Sequence, residues 1–338
     1  MDTTAEGAGA SPVRVIEGRG SLRSRGLASL ARLLFRRPLR QDTDIAALRR
    51  RYEAMDARHV PVARDVRRVR VSCDGVAAEW ISVPETRPGR TLLVLHGGSF
   101  AFRFPNTYAA FAARLCRRLG ARALIPDYRL TPEHAHPAAP DDCQAAYRWL
   151  LAGGCDPAHL VIVGDSAGGN LALVTLHRSV RAADPLPACA VLLSPAVDCT
   201  LDSHSMVENE ERDPVIRLAN LLLLRRHYVP SPHLYTHPDV SPLFGDFHGL
   251  PPLFLQAGST EMLRDEAVRT AHKAQAAGVD VELELWPGTV HGFQIAPFLP
   301  ESVRALDRIV GFVCARTGWR PPSPAPVAAT PPSTRGAR

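Results

Sequence analysis

No stretch of this chain approaches the roughly 18 consecutive apolar residues of a bilayer-spanning helix. The apolar run 221–224, for example, is fenced by Arg217, Arg225 and Arg226. The first 40 residues also lack the apolar core of roughly 7 to 15 residues that marks a secretory leader, because Arg32 interrupts the stretch 27–35. There is no Cys-x-x-Cys pair: Cys73, Cys116, Cys143, Cys155, Cys189, Cys199 and Cys314 form an odd, unpatterned set, mostly within apolar or helical stretches. That excludes a disulfide framework and implies reduced thiols in a cytoplasmic protein. His134-x-His136 has no carboxylate or cysteine to complete a ligand pattern, so neither a metal nor an organic cofactor is expected.

Charge is unevenly spread. Residues 18–41 hold seven arginines and no acid, which leaves 33 basic against 34 acidic residues elsewhere, so the formal net charge of +6 belongs to a local arm. A basic groove for nucleic acid is not expected. At 338 residues, 46% hydrophobic and 22% charged, the chain suits one large α/β core with an accessory lid.

Residues 1–20 are small, polar and Gly-rich and read as disordered, and from 319 to 338 Pro, Ala, Ser and Thr dominate and read as a disordered tail. Between 21 and 60 lies a basic helical segment. On a helical wheel Leu27, Leu30, Ala31 and Leu34 share one face and Arg25, Arg32 and Arg36 the other, which suits a lid helix laid on the body or an interfacial helix touching anionic lipid. A second short helix is expected over 42–57. Residues 66–71 and 77–83 flank Cys73-Asp74-Gly75, whose Asp-Gly is a hairpin signal.

Strands and helices then alternate: strands at 91–95, 121–126, 160–163, 188–193, 252–257 and 280–285, with helices at 107–119, 141–151, 167–181, 262–277 and 301–315. Such alternation predicts an α/β fold with a mostly parallel sheet and helices on both faces, placed over 61–318. The rhythm breaks at about 199–238. There Asp213-Pro214 reads as a helix start, and the apolar residues of 215–228 make a lid candidate.

Within 161–170 sits Gly164-Asp165-Ser166-Ala167-Gly168, a Gly-x-Ser-x-Gly between a buried strand and a helix. Glycines two before and two after the serine remove Cβ atoms from a tight turn, so the hydroxyl of Ser166 can stand above the sheet as a nucleophile. A serine needs a base, an orienting acid and oxyanion donors. His291, in the loop between the last strand and the last helix, is the candidate base. Glu261 follows the preceding strand, in the order serine, acid, histidine, with Asp265 and Asp198 as alternatives. His96-Gly97-Gly98-Ser99 follows strand 91–95 and can supply oxyanion N–H groups from Gly97, Gly98 and Ser99, joined by that of Ala167. Phe100, Phe102 and Leu222 are candidate walls of an apolar acyl pocket.

Taken together, His-Gly-Gly-Ser, Gly-Asp-Ser-Ala-Gly-Gly-Asn and the final His-Gly-Phe resemble the hormone-sensitive-lipase branch of the α/β-hydrolases, over about 91–312. Asp127-Tyr128-Arg129-Leu130-Thr131-Pro132-Glu133, Ser194-Pro195 and Ser241-Pro242-Leu243-Phe244 belong to the same resemblance. It implies an α/β-hydrolase fold with a helical lid and a cofactor-free carboxylesterase that splits a small-molecule ester through an acyl-enzyme. It also implies Gly98, Ser99 and Ala167 as the oxyanion donors. Two positions depart from the pattern: Ser99 stands where the family has a third glycine, and Glu261 where its acid is usually Asp. An amidase or formamidase is the rival activity. A receptor-like binder on the same fold is the non-enzymatic rival, and retention of His291 argues against it.

Overall fold

A computed structural model describes residues 11–322. The chain opens with β1 (Val13–Val15) and the helices α1 (Leu22–Phe35) and α2 (Ile45–His59). The hairpin β2 (Arg67–Cys73) and β3 (Val76–Ser82) turns on Asp74 and Gly75, both at positive φ, as a two-residue turn matched to strand twist requires. The alternating part follows: β4 (Thr91–Leu95), α3 (Pro105–Leu119), β5 (Arg122–Pro126), α4 (Ala138–Ala152), β6 (Leu160–Asp165), α5 (Ala167–Ala182) and β7 (Cys189–Leu193). The inserted segment carries α6 (His204–Glu208) and α7 (Leu218–Tyr228), before β8 (Leu253–Gly258), α8 (Arg264–Ala276), β9 (Val281–Trp286) and α9 (Pro300–Thr317) close the fold.

The strands form one sheet in the order β1-β9-β8-β7-β6-β4-β5-β3-β2, parallel from β1 to β5 and antiparallel only where β3 joins β5 and β2. Strands β4, β6, β7 and β8 are buried throughout, which is why they read as unbroken apolar runs. Strand alternation still sorts their side chains. Leu93, Leu95 and Ile162 pack with α4, α5 and α8 on one face, while Leu92, Val94 and Val163 pack with α3 and α9 on the other. After β5 the chain returns to the far side of β4, so β4 and β6 are neighbours and Leu95 pairs with Gly164. The loops leaving β4 and β6 therefore start side by side at the carboxyl edge of the sheet, where open α/β sheets bind ligands.

The observed structure departs from the sequence reading at both ends. Val13–Val15 pairs in parallel with β9, and the chain then packs against the loop after β9: a Cβ on Gly20 would sit 2.3 Å from the Gly288 oxygen. The expected disorder of 1–20 thus fails from residue 11 onward, and residues 1–10 lie outside the described ones. Trp319 is buried and its indole N–H donates to His159 Nδ1 at 3.0 Å, so the tail does not begin at 319; residues 323–338 lie outside the described ones. In α1 the face against the body is Ser24, Leu27, Ala28 and Ala31, whereas Leu30 points outward. The helix expected from 215 begins at Leu218, because Asp213 Oδ1 holds the Val215 and Ile216 N–H groups in a turn and its other oxygen reaches Met262.

The Gly20–Gly288 approach generates a prediction. Gly20→Ala must separate two backbones and should lose about 1–3 kcal/mol of stability. Gly26→Ala, whose Cβ meets open space on α1, should gain up to about 1 kcal/mol from helix propensity. Urea unfolding midpoints of the two variants check the opposite signs.

Candidate active site

Three loops leaving the carboxyl ends of β6, β8 and β9 bring Ser166, Glu261 and His291 together. Ser166 joins β6 to α5 at φ 53° and ψ −115°, a conformation an L-residue holds only when its surroundings fix it. Those surroundings leave no room for side chains: a Cβ on Gly164 would lie 2.3 Å from the Gly168 oxygen, and one on Gly168 only 1.9 Å from the Leu95 oxygen. The Ser166 N–H donates to the Leu193 carbonyl, and its own carbonyl accepts from Gly169 and Ala196. The elbow is thus bonded to β7 as well as to its own helix.

His291 Nε2 lies 2.9 Å from Ser166 Oγ, and Nδ1 lies 2.8 Å from Glu261 Oε2. Glu261 is fully buried, and its other oxygen accepts from the Ser194 hydroxyl at 2.9 Å and from the Gly258 N–H. Burial pushes the imidazolium of His291 down, but the hydrogen bond and charge of Glu261, joined by the carboxylates of Asp165 and Asp213, outweigh it and lift His291 to about 9. The two alternative acids are engaged elsewhere: Asp265 accepts from the Ser205 N–H and pairs with Arg264, and Asp198 pairs with Arg269.

Of the oxyanion-loop candidates read from the motif, one is engaged elsewhere. The Gly97 N–H donates to the Tyr108 hydroxyl at 2.7 Å, and that hydroxyl gives its one proton to Asp165 Oδ2 at 2.6 Å, so Gly97 cannot serve as an oxyanion donor. The N–H groups of Gly98, Ser99 and Ala167 have no acceptor among the described residues. Gly98 is obligatory: its φ is +122° and a Cβ there would lie 2.1 Å from the Phe102 oxygen. Ser99 takes a left-handed φ of 53° in spite of its side chain. His96 braces the loop from below, stacked on Tyr128 at 4.1 Å with Nδ1 2.8 Å from the Gly97 oxygen, and burial lowers its pKa to about 4. The imidazole is therefore neutral, and the contact with a carbonyl requires the proton on Nδ1.

The candidate pocket residues divide. Phe100 is stacked flat on Tyr228 at the end of α7, with ring centroids 3.7 Å apart. Phe102 packs with Ile45 and Leu224, edge-on to Tyr52 at 5.3 Å, so it belongs to the contact between α2, α7 and the body. Leu222 is half-buried on α7. Arg49 of α2 donates to the Ala101 carbonyl at 2.6 Å and pairs with Glu133, holding α2 over the oxyanion loop.

Four further residues escaped the sequence reading. Tyr108 is one. The others are Ser205, Asn209 and Asp213, buried at intervals of four in the inserted segment. Asn209 Nδ2 donates to the Glu261 carbonyl at 2.8 Å, and Asp213 Oδ2 accepts from the Met262 N–H at 2.9 Å, so one peptide unit is gripped at both polar atoms. Ser205 donates to the next carbonyl, that of Met262, at 2.6 Å. The four-residue spacing of Ser205, Asn209 and Asp213 is the available signal, although in the sequence Asp213 reads only as a helix start.

Comparison with known proteins gives the family. The family described as α/β-hydrolase fold matches residues 92–295, and the chain belongs to it. Within that fold the chain is similar to an acetyl-hydrolase and to esterases. An acetyl-hydrolase of Streptomyces hygroscopicus is 39% identical over 71% of this chain and 80% of its own length. The carboxylesterase/phospholipase LipF of Mycobacterium tuberculosis is 33% identical over 73% of this chain and 68% of its own. The crystal structure of an esterase from the bacterial hormone-sensitive lipase family superposes with a TM-score of 0.82 at 36% identity, over 88% of this chain and 99% of that one. The protein is a carboxylic ester hydrolase of the hormone-sensitive-lipase type.

The three carboxylates around His291 make a test independent of turnover. Asp213→Asn removes one negative charge and should lower the imidazole pKa, read from the pH dependence of the ring resonances by NMR. An equal substitution at Asp265, which bonds to Ser205 and Arg264, should leave those resonances in place.

Proposed function

We propose that the chain hydrolyses short- to medium-chain acyl esters of small molecules through a Ser166–His291–Glu261 triad and an acyl-enzyme. The observation that carries this reading is the line of 2.9 and 2.8 Å contacts from Ser166 through His291 to the buried Glu261, facing N–H groups that have no acceptor among the described residues.

In the first step Ser166 Oγ attacks the ester carbonyl carbon while His291 Nε2 takes the hydroxyl proton. Glu261 stabilises the imidazolium and fixes the Nδ1–H tautomer. The oxyanion develops toward the N–H groups of Gly98, Ser99 and Ala167, each such donor being worth ~3 kcal/mol of transition-state stabilisation. His291 passes its proton to the leaving alkoxide, and the alcohol departs. Water then adds to the acyl-enzyme with His291 as base, and Ser166 leaves with its proton restored. No step calls for a group beyond the chain's own residues and water.

Two observations support a small acyl group. Phe100 lies flat on Tyr228 next to the oxyanion loop, and Ser99 adds a side chain where the related pattern has hydrogen. The acetyl-hydrolase among the relatives agrees with the short end of the range.

The test is a panel of p-nitrophenyl esters and aryl amides of graded chain length. Esters should be cleaved in preference to amides, with kcat/KM falling as the acyl chain grows beyond the medium range. Ser166→Ala should abolish hydrolysis by about 10⁴–10⁶-fold with an unchanged thermal melt, and Glu261→Gln should lower kcat by ~10⁴ while Asp265→Asn and Asp198→Asn cost far less. Since His291 must be neutral to act and its pKa is raised, kcat/KM should climb from pH 7 toward about 9. Retention of activity by Ser166→Ala, or a preference for amides, would overturn the assignment.

A further inference from the structure

The N-terminal helix does not bury all its leucines. It lies on the body through Ser24, Leu27, Ala28 and Ala31, while the opposite side leaves Leu22 81%, Leu30 52% and Leu33 72% exposed. Leu22 and Leu33 are eleven residues apart, about three turns, and so fall on one line along the helix. Phe298, 53% exposed, adjoins the start of this line, since Arg23 Nη1 donates to its carbonyl at 3.1 Å. Val15 on the edge strand, 61% exposed, is a further large apolar side chain of the same N-terminal region.

Charge borders that apolar line. Around the helix Arg23 falls on one side of it and Arg25 and Arg32 on the other, with no acidic residue in α1. Of the seven arginines in 18–41, only Arg36 and Arg40 pair with carboxylates among the described residues; Arg19, Arg23, Arg25, Arg32 and Arg37 do not. Elsewhere the acidic and basic residues nearly balance. An isologous contact with a second copy would set these cations against themselves. Nucleic acid would leave the leucines without a partner. A bilayer bearing anionic headgroups satisfies both parts, taking leucines below the headgroups and guanidinium groups at the phosphates.

We infer that the outer side of α1, with Leu22, Leu30, Leu33 and Phe298 as its apolar part and Arg19, Arg23, Arg25 and Arg32 as its cationic part, docks the protein on anionic membrane surfaces. The helix is also bonded to the rim of the site. The Ser24 hydroxyl donates to the Gly288 carbonyl, in the loop that carries His291, and Arg32 donates to the Arg212 carbonyl beside Asp213. Docking on its outer side therefore leaves a single helix between the lipid surface and the loop that carries His291. The docking itself does not depend on the acyl-transfer reading.

The test is flotation of the full chain with phosphatidylcholine vesicles, with and without phosphatidylglycerol, at low and high salt. Binding should be stronger to the anionic vesicles by about tenfold or more and should weaken with salt. The double variant Leu22→Ser with Leu33→Ser should lose about tenfold, as should Arg19→Gln with Arg25→Gln. Circular dichroism should show both variants folded, since none of the four side chains has a partner among the described residues. Equal binding to neutral and anionic vesicles, or wild-type binding by the leucine variant, overturns the inference. So does sedimentation showing a dimer that the leucine variant dissolves. Hydrolysis of a soluble p-nitrophenyl ester in the same samples reports on acyl transfer separately.

Discussion

The close approach of two backbones governs this molecule. The first turn of α5 passes so near the end of β4 that position 168 has no space for even a methyl group, and position 164 is closed by the same turn. This contact forces the connection at Ser166 into a left-handed conformation and lifts the hydroxyl away from the sheet. It requires β4 and β6 to be adjacent, which requires the chain to have gone out to β5 and returned, which in turn requires helices on both faces. The nucleophile's position is thus a consequence of winding order. The hydrophobic burial of four central strands holds that order against the strain at the elbow.

Electrostatics sets the second constraint. Glu261, Asp165 and Asp213 all act on one imidazole, and each is held by donors instead of by a paired cation. Glu261 accepts from Ser194 and Gly258, Asp165 from Tyr108, and Asp213 from three backbone N–H groups. A buried arginine would neutralise the carboxylates and weaken their pull on His291, whereas hydrogen bonds from neutral groups hold them in place without adding a positive charge. Tyr108 makes this economical, because one hydroxyl both anchors Asp165 and immobilises the first residue of the oxyanion loop.

Much of this was legible in the chain. The alternation of apolar runs with helical stretches gave the parallel sheet to within a few residues, since burial on both faces leaves an apolar signature that local sequence carries. The residues that converge on the site were legible because Gly-x-Ser-x-Gly and the glycine pair after β4 answer local backbone demands, and because the histidine stands in the loop after the last strand, where a base is needed. What was not legible depends on partners distant in sequence. Nothing near Val13–Val15 says that β9 offers an open edge, and nothing near Trp319 names His159. The rotation of α1 eluded the helical wheel because Ser24, a polar residue, faces inward to reach Gly288. From the motif alone Gly97 looked equivalent to Gly98, because the distinction lies in Tyr108, eleven residues on; only the resemblance separated the two.

The grip of Asn209 and Asp213 on the Glu261–Met262 peptide joins two properties usually treated as separable. The same inserted segment contributes Tyr228, against which Phe100 lies, and supplies the braces of the acid loop. A change of acceptance toward larger substrates made by remodelling this insertion would disturb the register of Glu261 at the same time, so a grafted cap from a relative would arrive with foreign braces. Variation confined to α7, beyond Asp213, leaves these braces in place. In this architecture selectivity is modular only downstream of the clamp.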